Sequence, residues 1–153
     1  MKLNESKFIE REITLRNIII TKEVVETRRS LVRWLALALG VINPGESRQS
    51  AVAVLDSILY FQFVEKKDPS VPEMSEYISK YWEPINEKTL RYHLLQLKKA
   101  NIVGNSKGVF FLSRANVNER YNEDSWVNGY FNSEVLPIKD KMITALKELK
   151  GRY

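Results

Sequence analysis

The stretch "NEKTLRYHLLQLKKANIVGNSKGVFFLS", residues 86–113, constrains the fold more than any other part of the chain. Its first half places apolar residues at helical spacing: Leu94 and Leu97 fall within about 40° of Leu90 around a helix axis. Lys88, Arg91, Tyr92, Leu95 and Lys99 fall on the opposite side, so one face is core and the other is basic and aromatic. Asn86 has the chemistry of an N-cap, which predicts a helix from there to about Ala100 or Asn101. The second half is two short apolar runs around "GNSKG", a hairpin signal that puts Lys107 at the tip of a five-residue loop. Asn101, between helix and hairpin, tolerates the left-handed backbone that such a turn uses.

The remaining elements are read around this core. Residues 5–20 are rich in β-branched side chains, yet Ile9, Ile13 and Ile20 share a helix face, and the reading adopted is a helix. Thr21 is an N-cap for a helix over 22–39 that Gly40 stops. After the break at "NPGES", Ser47 caps a second long helix with a stripe of Ala51, Val52, Leu55, Ile58, Leu59 and Phe63. Ser70 and Glu73 have capping-box spacing and start a short helix to about residue 82. Residues 114–132 read as a connection with some helix. Pro137 opens a last helix whose Ile138, Met142, Leu146 and Leu149 form one apolar stripe. The domain division expected is a helical extension over 1–46, a central domain over 47–113, and a linker with a C-terminal helix over 114–153.

Composition excludes several functions. The 153 residues contain no cysteine and a single histidine, His93, so thiolate metal sites, disulfides and histidine-dependent triads lack their parts. His93 sits at the edge of the apolar stripe and reads as a partly buried structural residue. The six glycines never cluster as a phosphate cradle requires. No enzyme, cofactor or metal is expected. The N-terminus lacks the form of a secretory signal and no apolar run is long enough to span a membrane, which predicts a soluble cytoplasmic protein.

Charge is the positive evidence. Net charge is +5, but residues 86–108 hold Lys88, Arg91, Lys98, Lys99 and Lys107 against Glu87 alone. Residues 65–85 hold Lys66, Lys67 and Lys80 against Glu65, Asp68, Glu73, Glu76 and Glu83. The positive field therefore concentrates on the helix from 86 and the hairpin behind it.

These residues resemble the recognition helix and wing of the winged helix-turn-helix superfamily, especially its ArsR-like and MarR-like branches. The resemblance covers about residues 47–113: a polar cap, a Thr three residues on, Leu94 and Leu97, the small Ala100, the aliphatic pair Ile102 and Val103, then a glycine-containing hairpin. Asn101 stands where that pattern has glycine. The resemblance implies a mainly α winged helix-turn-helix core with a two-stranded β-hairpin wing and flanking terminal helices. It implies double-stranded DNA as partner, with the helix from 86 in the major groove and the hairpin on backbone or minor groove. Lys88, Arg91 and Tyr92 are then the base or phosphate readers, Arg91 the candidate for bidentate guanine reading, and Asn86 and Thr89 the phosphate contacts at the helix entrance. Lys107 is the wing's phosphate contact. Lys98 and Lys99 are weaker candidates, since cations are favoured at a helix C-terminus in any case.

The function so implied is transcriptional regulation by a homodimer, with apolar helices at both chain ends available for pairing. Small-molecule effectors, if any, leave no mark in the sequence. A rival reading stays open: the same fold used as a protein-interaction module in a replication or transcription assembly, favoured by Leu95 on the basic face. Single-strand or RNA binding rests only on Trp34, Trp82 and Trp126, each of which sits among apolar residues.

Overall fold

A computed structural model describes residues 4–113 and 119–153; the first five residues of the expected linker, 114–118, lie outside them. The described chain is mainly helical with one two-stranded antiparallel sheet. It divides into two compact units, Met1–Arg48 and Gln49–Tyr153. No helix among the described residues is long and apolar enough to cross a membrane.

In the first unit, the single helix expected over 22–39 is two, α1 (Lys22–Glu26) and α2 (Arg28–Ala38). Thr21 caps α1 as expected, accepting from the Val24 amide at 3.2 Å. Thr27 then adopts an extended backbone and caps α2 by accepting from the Ser30 amide at 3.1 Å. A threonine hydroxyl that can take the amide three residues on competes with the continuing helix, and here it wins.

The helix expected over 5–20 is not formed either. Glu5–Phe8 make one 3-10 turn, and residues 9–20 carry no helix or strand. Arg16, in this stretch, bonds to the end of α2. The Arg16 amide donates to the Ala38 carbonyl at 2.9 Å, and its guanidinium donates to the carbonyls of Leu37 and Ile42 at 2.7 and 2.8 Å. Trp34 Nε1 donates to the Ile19 carbonyl. Carbonyls that a helix C-terminus leaves orphaned thus find a donor in this strap, whose β-branched residues favour extended backbone. Gly40 stops α2 at φ +71°, with the Thr14 carbonyl 2.9 Å from where a Cβ would stand.

The second unit is built around α3 (Ser50–Tyr60), in which every residue from Ala51 to Ile58 is buried. Its N-cap is Gln49 rather than the expected Ser47, and no side chain caps it. The helix continues as a π turn over Phe61–Glu65, closed by Lys66 in left-handed backbone. A π turn carries one residue more than an α turn. Phe61 and Gln62, three and four residues on from buried Ile58, point inward, while Leu59 and Phe63, expected in the core, are half-buried.

Next come α4 (Val71–Tyr81), α5 (Glu87–Lys99), β1 (Val103–Ser106), β2 (Val109–Leu112), α6 (Glu123–Glu134) and α7 (Leu136–Lys150). Ser70 and Glu73 form both halves of the capping box, and Pro72 lies in the first turn of α4. α6 falls within the stretch read as a connection; Asn122 caps it by accepting from the Ser125 amide. The core of the unit includes Leu55, Ile58, Met74, Ile78, Leu90, Leu94 and Ile102, all fully buried.

Two polar side chains lock this core. The Asp56 carboxylate, 4% exposed, accepts from Tyr77 Oη at 2.8 Å and Trp82 Nε1 at 2.9 Å, tying α3 to both the middle and the end of α4. Gln62 donates to the Lys67 carbonyl and the Asp68 carboxylate, and accepts from the Leu112 amide at 3.1 Å, tying the π turn to β2.

Replacing Asp56 with alanine leaves two buried donors without their acceptor, each costing about 1–3 kcal/mol, so Asp56→Ala should lower the unfolding free energy by several kcal/mol. Tyr77→Phe removes one donor and leaves Trp82 Nε1 on the carboxylate, and should cost about 1.5–3 kcal/mol, less than the loss of the acceptor; equilibrium urea unfolding of the full chain compares the two. Gly40→Ala should destabilise the first unit by about 1 kcal/mol or more through its positive φ and the Thr14 contact. Faster hydrogen exchange of the α2 amides, with those of α5 unchanged, is the expected readout.

Candidate nucleic-acid interface

The face expected to carry function is formed by α5 and the hairpin. Asn86 sits before α5 in extended backbone, and its Oδ1 accepts from the Thr89 amide at 2.7 Å. Leu90, Leu94 and Leu97 are the buried residues of α5, as the spacing requires. Lys88, Arg91, Tyr92, Leu95 and Lys99 are exposed together on the other side; Tyr92 is 57% and Leu95 47% exposed. Lys98 is exposed too, but at the flank of the helix nearer the core stripe. Thr89 is half-buried, with its amide engaged by the cap.

Arg91 is not a bare cation. Its Nε and an Nη donate to Glu87 Oε1 at 3.1 and 3.0 Å, one helical turn back. Both partners are more than half exposed, and a pair of this kind is worth about 0.3–0.5 kcal/mol, so an incoming anion can displace it easily. His93 is half-buried beside the face; its Nε2 hydrogen-bonds Ser50 Oγ at 2.9 Å, which joins α5 to α3. This is the structural role its position predicts.

Behind α5 the chain turns through Asn101 at φ 58°, the left-handed residue expected there, and Asn101 Nδ2 donates to Glu134 at the end of α6. The hairpin loop is shorter than the five residues expected. Gly104, Asn105 and Ser106 pair with Phe111, Phe110 and Val109, leaving only Lys107 and Gly108 as the turn. Both have positive φ, 51° and 80°, the geometry of a two-residue type I′ turn, whose twist matches that of the strands. Gly104 is needed less for its backbone than for its missing side chain, because the Phe111 ring lies 2.6 Å from where a Cβ would stand.

The hairpin is anchored to the helices at its inner edge. Val109 forms a bridge with Ser70, and the Phe110 amide donates to the Pro69 carbonyl at 2.9 Å, so the segment before α4 adds a short third rung to the sheet. Nothing in the sequence pattern announced this pairing, since one bridging residue leaves no alternation to read.

Charge is segregated within the unit. A shallow groove of about 230 Å³ is lined by Tyr60, Phe61, Tyr77 and Tyr81 and by three carboxylates, Glu65, Glu73 and Glu76, against one cation, Lys80, with the Tyr60 and Tyr77 rings stacked 4.6 Å apart. Its carboxylates oppose polyanion binding there. Glu73 pairs with Lys67 and accepts from the Ser70 amide; these bonds hold its carboxyl below the usual carboxylate range and raise the Lys67 ammonium above its own. Among the described residues no group of three or more His, Asp or Glu side chains is arranged to hold a metal ion. No family model, no curated protein and no solved structure matches the chain.

The Glu73 shift fixes the sign of a pH effect. A carboxyl whose pKa is lowered by folding contributes stability above its unfolded pKa and loses it as pH falls through the folded one. The difference in unfolding free energy between wild type and Glu73→Gln should therefore be constant through neutral pH and shrink below the usual carboxylate range, about pH 4. A difference that persists unchanged at about pH 2 would remove the ion pair as its cause.

Proposed function

We propose that this chain is a winged helix-turn-helix protein that binds double-stranded DNA and regulates transcription as a homodimer. The observation that carries the reading is the outward face of α5, where Lys88, Arg91, Tyr92 and Lys99 are exposed side by side on a capped helix that leads directly into the hairpin bearing Lys107. The order α3, α4, α5, β1, β2 supports it, because long helix, short capped helix, basic helix and hairpin is the order on which the resemblance rests. In this reading α5 lies in the major groove and the hairpin rests on the backbone.

The roles follow from chemistry. Arg91, once released from Glu87, offers a planar fork suited to the O6 and N7 acceptors of guanine. Lys88 and Tyr92 flank it at the N-terminal half of the helix, and Lys99 and Lys107 supply charge to phosphates. The Oδ1 of Asn86 is held by the cap, so its contribution to a phosphate is through its NH₂ group. Lys98, nearer the flank, contributes field rather than contact.

One observation favours the second reading, a winged helix that docks on protein: Leu95 is 47% exposed in the middle of the basic face. On DNA it meets a thymine methyl; on a protein it anchors an apolar contact. Salt dependence separates the two, because neutralising phosphates releases condensed counterions.

Fluorescence anisotropy with a labelled mixed-sequence duplex, titrated at salt from about 50 to about 300 mM, should show a log-log slope of about −3 or steeper. Arg91→Ala should cost about 1–3 kcal/mol on a selected site and relax preference at one base pair, whereas Lys107→Ala should weaken all sequences alike. Two variants that bind every duplex as wild type does would overturn the assignment of α5 to the groove.

A further inference from the structure

α7 buries none of its residues. Its apolar side chains are open to solvent: Met142 is 62%, Leu146 65% and Leu149 44% exposed. A helix of this composition gains little from standing alone in water, since most helical stability in proteins comes from burying an apolar face. The arrangement of its side chains indicates what covers it.

Ile138, Met142, Ala145 and Leu149 follow one another at four, three and four residues and lie within about 60° around the axis, the seam of a two-helix pairing. On one flank of this seam stand Lys141 near the start and Glu148 near the end; on the other stand Lys139 and Leu146. An antiparallel copy brings each flank against itself, head to tail. The geometry points to an antiparallel pairing of α7 with α7 of a second copy of this chain, in which Lys141 of each protomer meets Glu148 of the other. This deepens the homodimer part of the reading above and is independent of its DNA part.

In that register Ile138 packs on the partner's Leu149, and Met142 on the partner's Ala145, large against small in the central layers. The Lys139 stem lies along the partner's Leu146, which covers the most exposed leucine of the helix. The Glu148 carboxylate can reorient. Glu148 now accepts from Arg152 at 3.3 Å, a pair more than 70% exposed on each side and therefore weak. In a parallel pairing the flank bearing Lys141 instead meets the flank bearing Lys139 and Leu146, and the Lys141–Glu148 match is lost. Four turns of paired helix bury on the order of 1,000 Å² in total, at the lower edge of specific interfaces, so the expected dimer exchanges in the micromolar range.

Analytical ultracentrifugation of the full chain tests the pairing. Wild type should be dimeric at about 100 µM. Met142→Glu, at a residue with no folded-state packing to lose, should weaken the dimer at least about tenfold while leaving the unfolding transition of the second unit in place. Lys141→Glu and Glu148→Lys should each weaken it, and the double variant should recover most of the loss.

Because the chain has no native cysteine, orientation can be read by oxidation. A mixture of Ile138→Cys and Leu149→Cys chains should cross-link to each other far more than either does to itself, since in the antiparallel register each lies about 16 Å along the axis from its own copy. A monomer at that concentration, or a dimer indifferent to Met142→Glu, overturns the proposal. So does a monomer that binds anionic vesicles through α7, which would make the face a lipid contact. Self-cross-linking of Ile138→Cys alone overturns the antiparallel orientation. A dimer with these properties that shows no duplex binding leaves the pairing standing and removes the DNA reading instead.

Discussion

The carboxylate of Asp56 is the constraint on which the second unit depends. It lies among apolar residues of α3, where an acid can be tolerated only if its oxygens are bonded. The bonds come from Tyr77 and Trp82, two side chains on α4 five residues apart. Because both donors must reach one oxygen, α4 has little freedom to slide along or rotate against α3. α5 follows α4 after only five residues, and its leucines pack into the same core. The direction in which α5 presents Lys88, Arg91 and Tyr92 is thus set at a carboxylate that never meets solvent.

The order of elements from α4 to β2 was legible because each of them writes a local signature. Ser70 and Glu73 state a helix start through two hydrogen bonds that need no distant partner. Asn86 does the same for α5, and its leucines report burial through a period of 3.6 residues. Positive φ at Asn101 and Gly108 falls on residue types that tolerate it. In each case the energy that decides the structure is contributed within a few residues of chain.

Where sequence reading failed, the deciding partner was elsewhere. Nothing in "EREITLRNIII" shows that Arg16 will find the carbonyls of Leu37 and Ile42, so the isoleucine spacing read as helix. Thr27 reads as one more residue of a helix over 22–39, and nothing in the helical spacing shows its hydroxyl taking the Ser30 amide. Gln62, in the π turn, is engaged fifty residues away by the Leu112 amide, a partner no local pattern names. The candidate interface was legible in composition and face, whereas the engagement of Arg91 by Glu87 and the two-residue turn at Lys107 depend on side-chain geometry and strand register.

The π turn has a consequence for the chain's tolerance of length change. Helices usually accept the loss of an exposed residue at their ends, but here the surplus residue sets where Lys67 and Asp68 stand relative to Gln62. A chain shortened by one within 63–65 would return to α geometry, carry the Lys67 carbonyl and the Asp68 carboxylate away from the Gln62 amide group, and loosen the side chain that accepts from the Leu112 amide. The segment is therefore held to its length by a backbone amide on a distant strand, and a single-residue deletion there would be felt first in the hairpin rather than in the helix that lost the residue.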